Sequence, residues 1–238
     1  MQTNKKIKVY QGPEVWGTPN ASPFCTKLLC FLNASKIPYE VKEFNPMKAP
    51  KGKMPYIEYD GRYFGDSQLI MSFLSQEFSV DLDAPLTEHQ KSISHSCRRM
   101  LEEGTYFLIL WSRWGIDENW SVIRKAYFAN MPAPMKYFLP EILRRSVKRS
   151  AMGQGTARHT FDELEKILDE DMYSLSQLMS KSGPYFHGET FTSIDCTVFA
   201  FLASLLSAPL PVPFGKKWKD HQQFQDYIQQ VKSNFFPQ

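Results

Sequence analysis

The chain has 238 residues, 42% hydrophobic and 22% charged, with a net charge of +3 at pH 7; this is the profile of an ordinary globular protein of one large or two small domains. So small a charge argues against a nucleic-acid partner, and 18 Phe, 11 Tyr and 5 Trp supply the apolar bulk that disordered chains lack. Cys25, Cys30, Cys97 and Cys196 show no CxxC pair and no metal-type spacing, so no metal site is expected and a reducing compartment fits.

The opening residues run directly into a strand pattern without the apolar stretch of a secretory signal. Lys6 to Tyr10 alternate apolar and polar residues as a strand does. A loop rich in Gly and Pro follows, from Gly12 to Ala21. Ser22-Pro23 then reads as a helix start, Ser22 as N-cap and Pro23 at the first helical position. Phe24, Leu28, Phe31 and Leu32 keep the spacing of a core-facing helix, which Pro38 should end. Residues 39–44 alternate again. A loop with Pro46, Pro50 and Gly52 leads through Met54-Pro55 to a hairpin, Tyr56 to Tyr59, turn at Asp60-Gly61, return from Arg62 to Phe64. Gly65-Asp66-Ser67 caps a helix whose predicted apolar stripe is Leu69, Ile70, Phe73 and Leu74.

Beyond residue 84 the pattern is helical with no convincing strand. One helix is predicted from Thr87 to about Trp114, with shorter ones over roughly 119–130 and 136–151. Another begins near Thr156, with Phe161, Leu164, Leu168, Leu175 and Leu178 as its buried face. Arg144, Arg145, Lys148 and Arg149 read as a solvated helix face. Thr192-Ser193-Ile194-Asp195 has the form of a capping box, Asp standing in for the usual Glu. The apolar run that follows, Cys196 to Leu206, is interrupted by Thr and Ser and is shorter than the ~20 residues of a membrane span. A last amphipathic helix carries Phe224, Tyr227, Ile228 and Val231. The predicted fold class is therefore α/β followed by all-α, with domains 1–84 and 85–238.

Ser22-Pro23-Phe24-Cys25, Met54-Pro55 and Asp66-Ser67, in this order, resemble the glutathione transferase superfamily, in which a thioredoxin-like domain precedes an all-helical one. The resemblance implies that Ser22 donates to the glutathione sulfur, at a helix N-terminus that favours thiolate. It implies a cis Met54-Pro55 bond, leaving the Met54 backbone to pair with the cysteinyl unit, with Lys53 alongside. Asp66 would hold the γ-glutamyl ammonium, and Ser67 with the free helix N–H groups the γ-glutamyl carboxylate. Read without the resemblance, Ser22 and Asp66-Ser67 are plain N-caps.

Four further segments narrow the likeness: Ser22 to Leu28, Tyr56 to Glu58, Gly153 to His159, and Ser193 to Phe199 resemble the metaxin-like branch, including the failed-axon-connections group. Candidates outside the glutathione site carry two readings each. Trp16 either lines the cleft or anchors its loop, and Tyr106 either presents its hydroxyl to a substrate or packs in the core. Arg158 and His159, after a Gly-rich turn, either meet a carboxylate or lie on the surface. Cys25 either packs or serves as a reactive thiol. The expectation is a cytoplasmic, homodimeric glutathione transferase that uses glutathione as co-substrate against a small electrophile, with no membrane span and no nucleic acid. A non-catalytic adaptor and a Cys25-dependent thiol-disulfide reductase are the rivals.

Overall fold

The computed structural model describes residues 6–129 and 131–237; the first five residues, and position 130 at the end of one predicted helix, lie outside them. The alternating segment forms β1 (Ile7–Gln11), with Ile7, Val9 and Gln11 turned inward. Helix α1 (Pro23–Ala34) follows the extended N-cap Ser22 and leads to β2 (Tyr39–Glu43). It ends four residues before Pro38, at a left-handed Lys36 (φ 53°) that brings the Ile37 N–H to the Leu32 carbonyl (3.0 Å). Strands β3 (Tyr56–Tyr59) and β4 (Arg62–Gly65) close the sheet in the order β2-β1-β3-β4. β1 runs parallel to β2, with Val9 opposite Val41, and antiparallel to β3, with Val9 opposite Ile57. Helix α2 (Ser67–Glu77) buries Ile70, Met71 and Leu74, whereas Leu69 is 57% exposed. Its neighbour Met71 takes the core position instead, a change of helix face that the apolar character of the segment did not distinguish.

The predicted helix from Thr87 to Trp114 is interrupted. It runs as α3 (Glu88–Arg99), a π-helical segment (Met100–Thr105) and α4 (Tyr106–Trp114). The wide turn carries Glu102 and Thr105 into the interior, where Glu102 meets Lys27 and Thr105 donates to Asp171 at 2.7 Å. These long-range partners, absent from any local pattern, set the helical register. α5 (Asp117–Phe128) and α6 (Met135–Gln154) follow. A 3₁₀ turn, Thr156–Arg158, precedes α7 (Phe161–Leu178), so the helix begins after Thr160 rather than near Thr156. Leu164, Leu168 and Leu175 are buried as expected, but Phe161 and Leu178, at the helix ends, are each 41% exposed.

At the centre lies α8 (Ser193–Ser207), buried on every side from Ile194 to Leu206; a helix apolar all round is one surrounded by protein. It packs on α1, α3, α4 and the final helix α9 (Gln222–Phe235), so that a single core spans sheet and helices. Asp195 reaches back to the Thr192 N–H (2.8 Å) as the capping box predicts. None of the described helices is long and apolar enough to cross a membrane.

His187 pins the connection into α8 to α3, its Nε2 lying 2.7 Å from Ser94 Oγ. Burial holds this imidazole below its ordinary value of 6.5. A histidine that resists protonation when folded gives stability that is complete above the unfolded value and falls as pH drops through it. Unfolding midpoints in urea should therefore fall between pH 7.5 and 5.5, and His187→Asn should flatten that dependence.

Candidate functional site

The sheet topology gathers the predicted glutathione residues. β1 ends toward Ser22, antiparallel β3 begins just after Met54, and β4, antiparallel to β3, ends at Asp66-Ser67. All three segments therefore meet at one edge of the sheet. Gly12 lies against Met54: a side-chain carbon there would stand 3.4 Å from Met54 Sδ. The Met54-Pro55 bond is cis, as expected.

Ser22 occupies the N-cap position, but its hydroxyl makes no capping bond. Its carbonyl accepts from the Cys25 and Thr26 N–H groups (both 3.1 Å). Buried Asn20 sets the approach, donating to the Gly12 carbonyl (2.7 Å) and accepting from the Ser22 N–H (2.9 Å). The half-buried hydroxyl is thus not used by the cap and lies instead within hydrogen-bonding reach of the Cys25 thiol.

Cys25 is fully buried. Burial pushes its thiol up to about 12, against smaller opposing effects from hydrogen bonding to Ser22 and the Gly12 backbone. A thiol so placed is packed and poorly nucleophilic. Cys30 and Cys97 are also buried, with burial again raising the thiol, and Cys196 is buried beside them. Among the described residues no group of His, Cys, Asp and Glu could hold a metal ion.

Asp66 stands at φ 85° and caps α2 with its own carboxylate, accepting from the Gln68 and Leu69 N–H groups (3.0 and 3.1 Å). Two N–H groups expected to be free for a ligand carboxylate are therefore already bonded. Ser67 is buried, 5% exposed. Lys53 is exposed; Lys51 is the lysine that faces Asp66, at 4.0 Å.

Of the outlying candidates, Tyr106 is brought to the start of α1: its ring meets Phe24 edge-on, centroids 4.9 Å apart. Burial raises its phenol, with Arg113 opposing. Trp16 anchors its loop, lying against the Arg113 guanidinium (5.3 Å) and the Tyr127 ring (5.9 Å). Arg158 and His159 are exposed. Arg158 bonds the Met152 carbonyl (3.2 Å) and His159 lies 3.7 Å from Glu163, so both serve the α6–α7 connection. A cleft of about 300 Å³ opens elsewhere, between α2, the 80–83 connection and the start of α8, with Gln68, Ser72, Ser75, Asp81, Asp83 and Ser193 in its walls.

Three residues stand out that sequence reasoning missed. Asn20 shapes the loop into Ser22. Lys27, in the Ser22-to-Leu28 motif, buries its ammonium against Gln68 and Glu102 (2.6 Å each). Arg113, in the apolar run of α4, donates to Ala21 across the domains (2.8 Å). A basic residue inside an apolar helical stripe was the available signal for the last two.

Family models match at both ends of this fold. The glutathione S-transferase N-terminal domain covers residues 23–120 and the C-terminal domain residues 168–231. The chain belongs to the glutathione S-transferase superfamily, on its metaxin-like branch. It is 26% identical to the isoprene-epoxide glutathione S-transferase of Rhodococcus sp. (strain AD45), over 96% of this chain and 99% of that one. It is 28% identical to failed axon connections of Drosophila melanogaster and 29% identical to metaxin-1 of Mus musculus, covering 84% and 82% of this chain. The matches span only 50% and 64% of those two relatives. Among solved structures, a glutathione transferase from Phanerochaete chrysosporium superposes with a TM-score of 0.67 at 13% identity, over 98% of both chains. A transferase homologue from Drosophila mojavensis with bound glutathione superposes with a TM-score of 0.55 at 17% identity, over 98% of this chain and 92% of that one. The fold of this superfamily member is thus a thioredoxin-like domain followed by a helical domain.

Proposed function

We propose that this transferase-fold chain binds glutathione at the sheet edge and activates its thiol for attack on a small electrophile. The observation that carries the reading is the Ser22 hydroxyl, left without a capping bond at the N-terminus of α1. A hydroxyl there can donate to sulfur while the helix end favours negative charge. Met54 would pair with the cysteinyl backbone, and Asp66 with Ser67 would hold the γ-glutamyl end, Lys51 rather than Lys53 standing beside them. Tyr106 would form part of the wall facing the electrophile. Activation then works by thiolate stabilisation and by proximity. The near full-length likeness to an isoprene-epoxide transferase supports the catalytic reading. The assignment includes domains 1–84 and 85–238, a homodimer and a cytoplasmic location.

A second reading, a non-catalytic metaxin-like binding protein, is favoured by Asp66, whose carboxylate already occupies two helix N–H groups. The buried Cys25 speaks against the reductase alternative.

Calorimetric titration of glutathione, with thiolate absorbance followed against pH, separates these readings. The wild type should bind in the millimolar range or tighter, with the bound thiol below its free value of about 8.5. Ser22→Ala should retain binding and raise the bound thiol by roughly one to two pH units, the worth of a hydrogen bond to a charged group. No binding at millimolar glutathione would sink the enzyme reading in favour of the adaptor.

A further inference from the structure

Arg113 is 4% exposed, and the groups it bonds are all neutral. One terminal nitrogen donates to the Ala21 carbonyl (2.8 Å) and the Tyr127 hydroxyl (3.0 Å). The other donates to the Ser204 carbonyl (2.5 Å) and hydroxyl (2.9 Å). Among the described residues no carboxylate lies within ion-pair distance of it, whereas the other buried cation among them, Lys27, has Glu102. A buried charge without a counter-charge is costly, and a neutral side chain of similar size would meet these acceptors at lower cost.

The position explains what the charge can do. Ala21 precedes Ser22, and the peptide joining them is held from both sides, its carbonyl by Arg113 and its N–H by Asn20 Oδ1 (2.9 Å). The space beside Arg113, Ser112 and Ser204 is only about 10 Å³, no more than one water needs. The guanidinium is therefore closed to direct contact with a ligand and acts through its field. The other titratable groups packed around it and Ser22 are Tyr106, Tyr127 and Cys25. Burial raises each of them, which keeps them neutral. The positive charge beside the Ser22 loop is left uncancelled.

We infer that Arg113 is a positioning residue for the glutathione site: it clamps the Ala21-Ser22 peptide and supplies the uncompensated positive field that, with Ser22, holds the bound thiol as thiolate. The inference rests on the glutathione reading above. A unit charge on the order of 10 Å from a thiol, at an effective dielectric of about 20, shifts its pKa by roughly one unit.

The test is the pH titration of bound glutathione thiolate in the wild type and three variants. Arg113→Gln should raise the bound thiol pKa by roughly one unit. Arg113→Lys should restore most of the depression because the charge returns without the fork. Ser204→Asp leaves Arg113 in place and gives it a counter-charge, so it should raise the thiol value as Arg113→Gln does, and it serves where Arg113→Gln does not fold. If Arg113 were only a structural clamp, Lys and Gln would behave alike and Ser204→Asp would leave the thiol unmoved; that result overturns the inference while the glutathione reading stands. Failure of the wild type to bind glutathione overturns both.

Discussion

Replacing Glu102 by Gln should destabilise the protein by about 3–5 kcal/mol, the range for removing one partner of a buried ion pair. Lys27 enters from α1 with its side chain fully buried, and its ammonium lies 2.6 Å from Glu102 Oε1. Arg98, one helical turn before Glu102, bonds the other oxygen at 2.8 Å. A single carboxylate thus serves two cations, and the uncharged amide would leave both without a counter-charge. Lys27→Met should be milder, because Glu102 keeps Arg98. Burial outweighs the attraction of Glu102 and holds the Lys27 ammonium below its usual range, so the pair as a whole adds little net stability. The double replacement Lys27→Met with Glu102→Leu should therefore recover most of what Glu102→Gln loses, since Arg98 retains access to water at 18% exposure. Urea unfolding of Glu102→Leu, Lys27→Met and the double that combines them gives the coupling directly. If Glu102→Gln and Lys27→Met cost the same, the one-acid, two-cation arrangement is wrong.

Asp195→Ala should cost about 4 kcal/mol or more, since each buried donor left without an acceptor loses ~1–3 kcal/mol. The carboxylate is fully buried and accepts from the Phe186 N–H (2.7 Å), the Thr192 N–H and hydroxyl (2.8 and 2.9 Å) and the Tyr227 hydroxyl (2.8 Å). These donors come from the 179–192 connection, the start of α8 and the middle of α9, so one side chain ties three segments to the central helix. Small domains have total stabilities of only ~5–15 kcal/mol, and the variant should melt well below the wild type in a thermal scan followed by circular dichroism. Tyr227→Phe removes one donor together with its need for an acceptor. It should cost only about 1 kcal/mol. An Asp195→Ala protein that melts within a few degrees of wild type would show that water replaces the carboxylate, against its complete burial.

Much of this was legible in the residues. The alternation in residues 6–10 and 39–44, the Asp60-Gly61 turn and the spacing of Leu28, Phe31 and Leu32 are local signals, and each produced the expected element. The Thr192-to-Asp195 box likewise acts within one helical turn, and the structure shows Asp195 reaching back as predicted. The errors share a cause. Leu69 changed places with Met71, Phe161 and Leu178 fell at helix ends, and the Thr87–Trp114 helix acquired a π segment. In each case packing against a distant element chose among faces or registers that are equal locally.

The candidate site divides along the same line. Its opening feature, Ser22 at a helix start, was readable because an N-cap is written in adjacent residues. Whether its hydroxyl was used by the cap was not readable. The cap at Asp66-Ser67 was readable, but not that it would take N–H groups the resemblance assigns to a ligand. Lys27 meets Glu102 across 75 positions, and Arg113 meets Ala21 and Ser204 across 92 and 91. By itself, the sequence determined the order of elements, the capping motifs and the segments that meet at the sheet edge, because these follow from interactions within a few residues. Only the tertiary structure decided which charges are buried, which are paired and which stand alone beside Ser22, because burial and pairing depend on contacts between helices far apart in the chain.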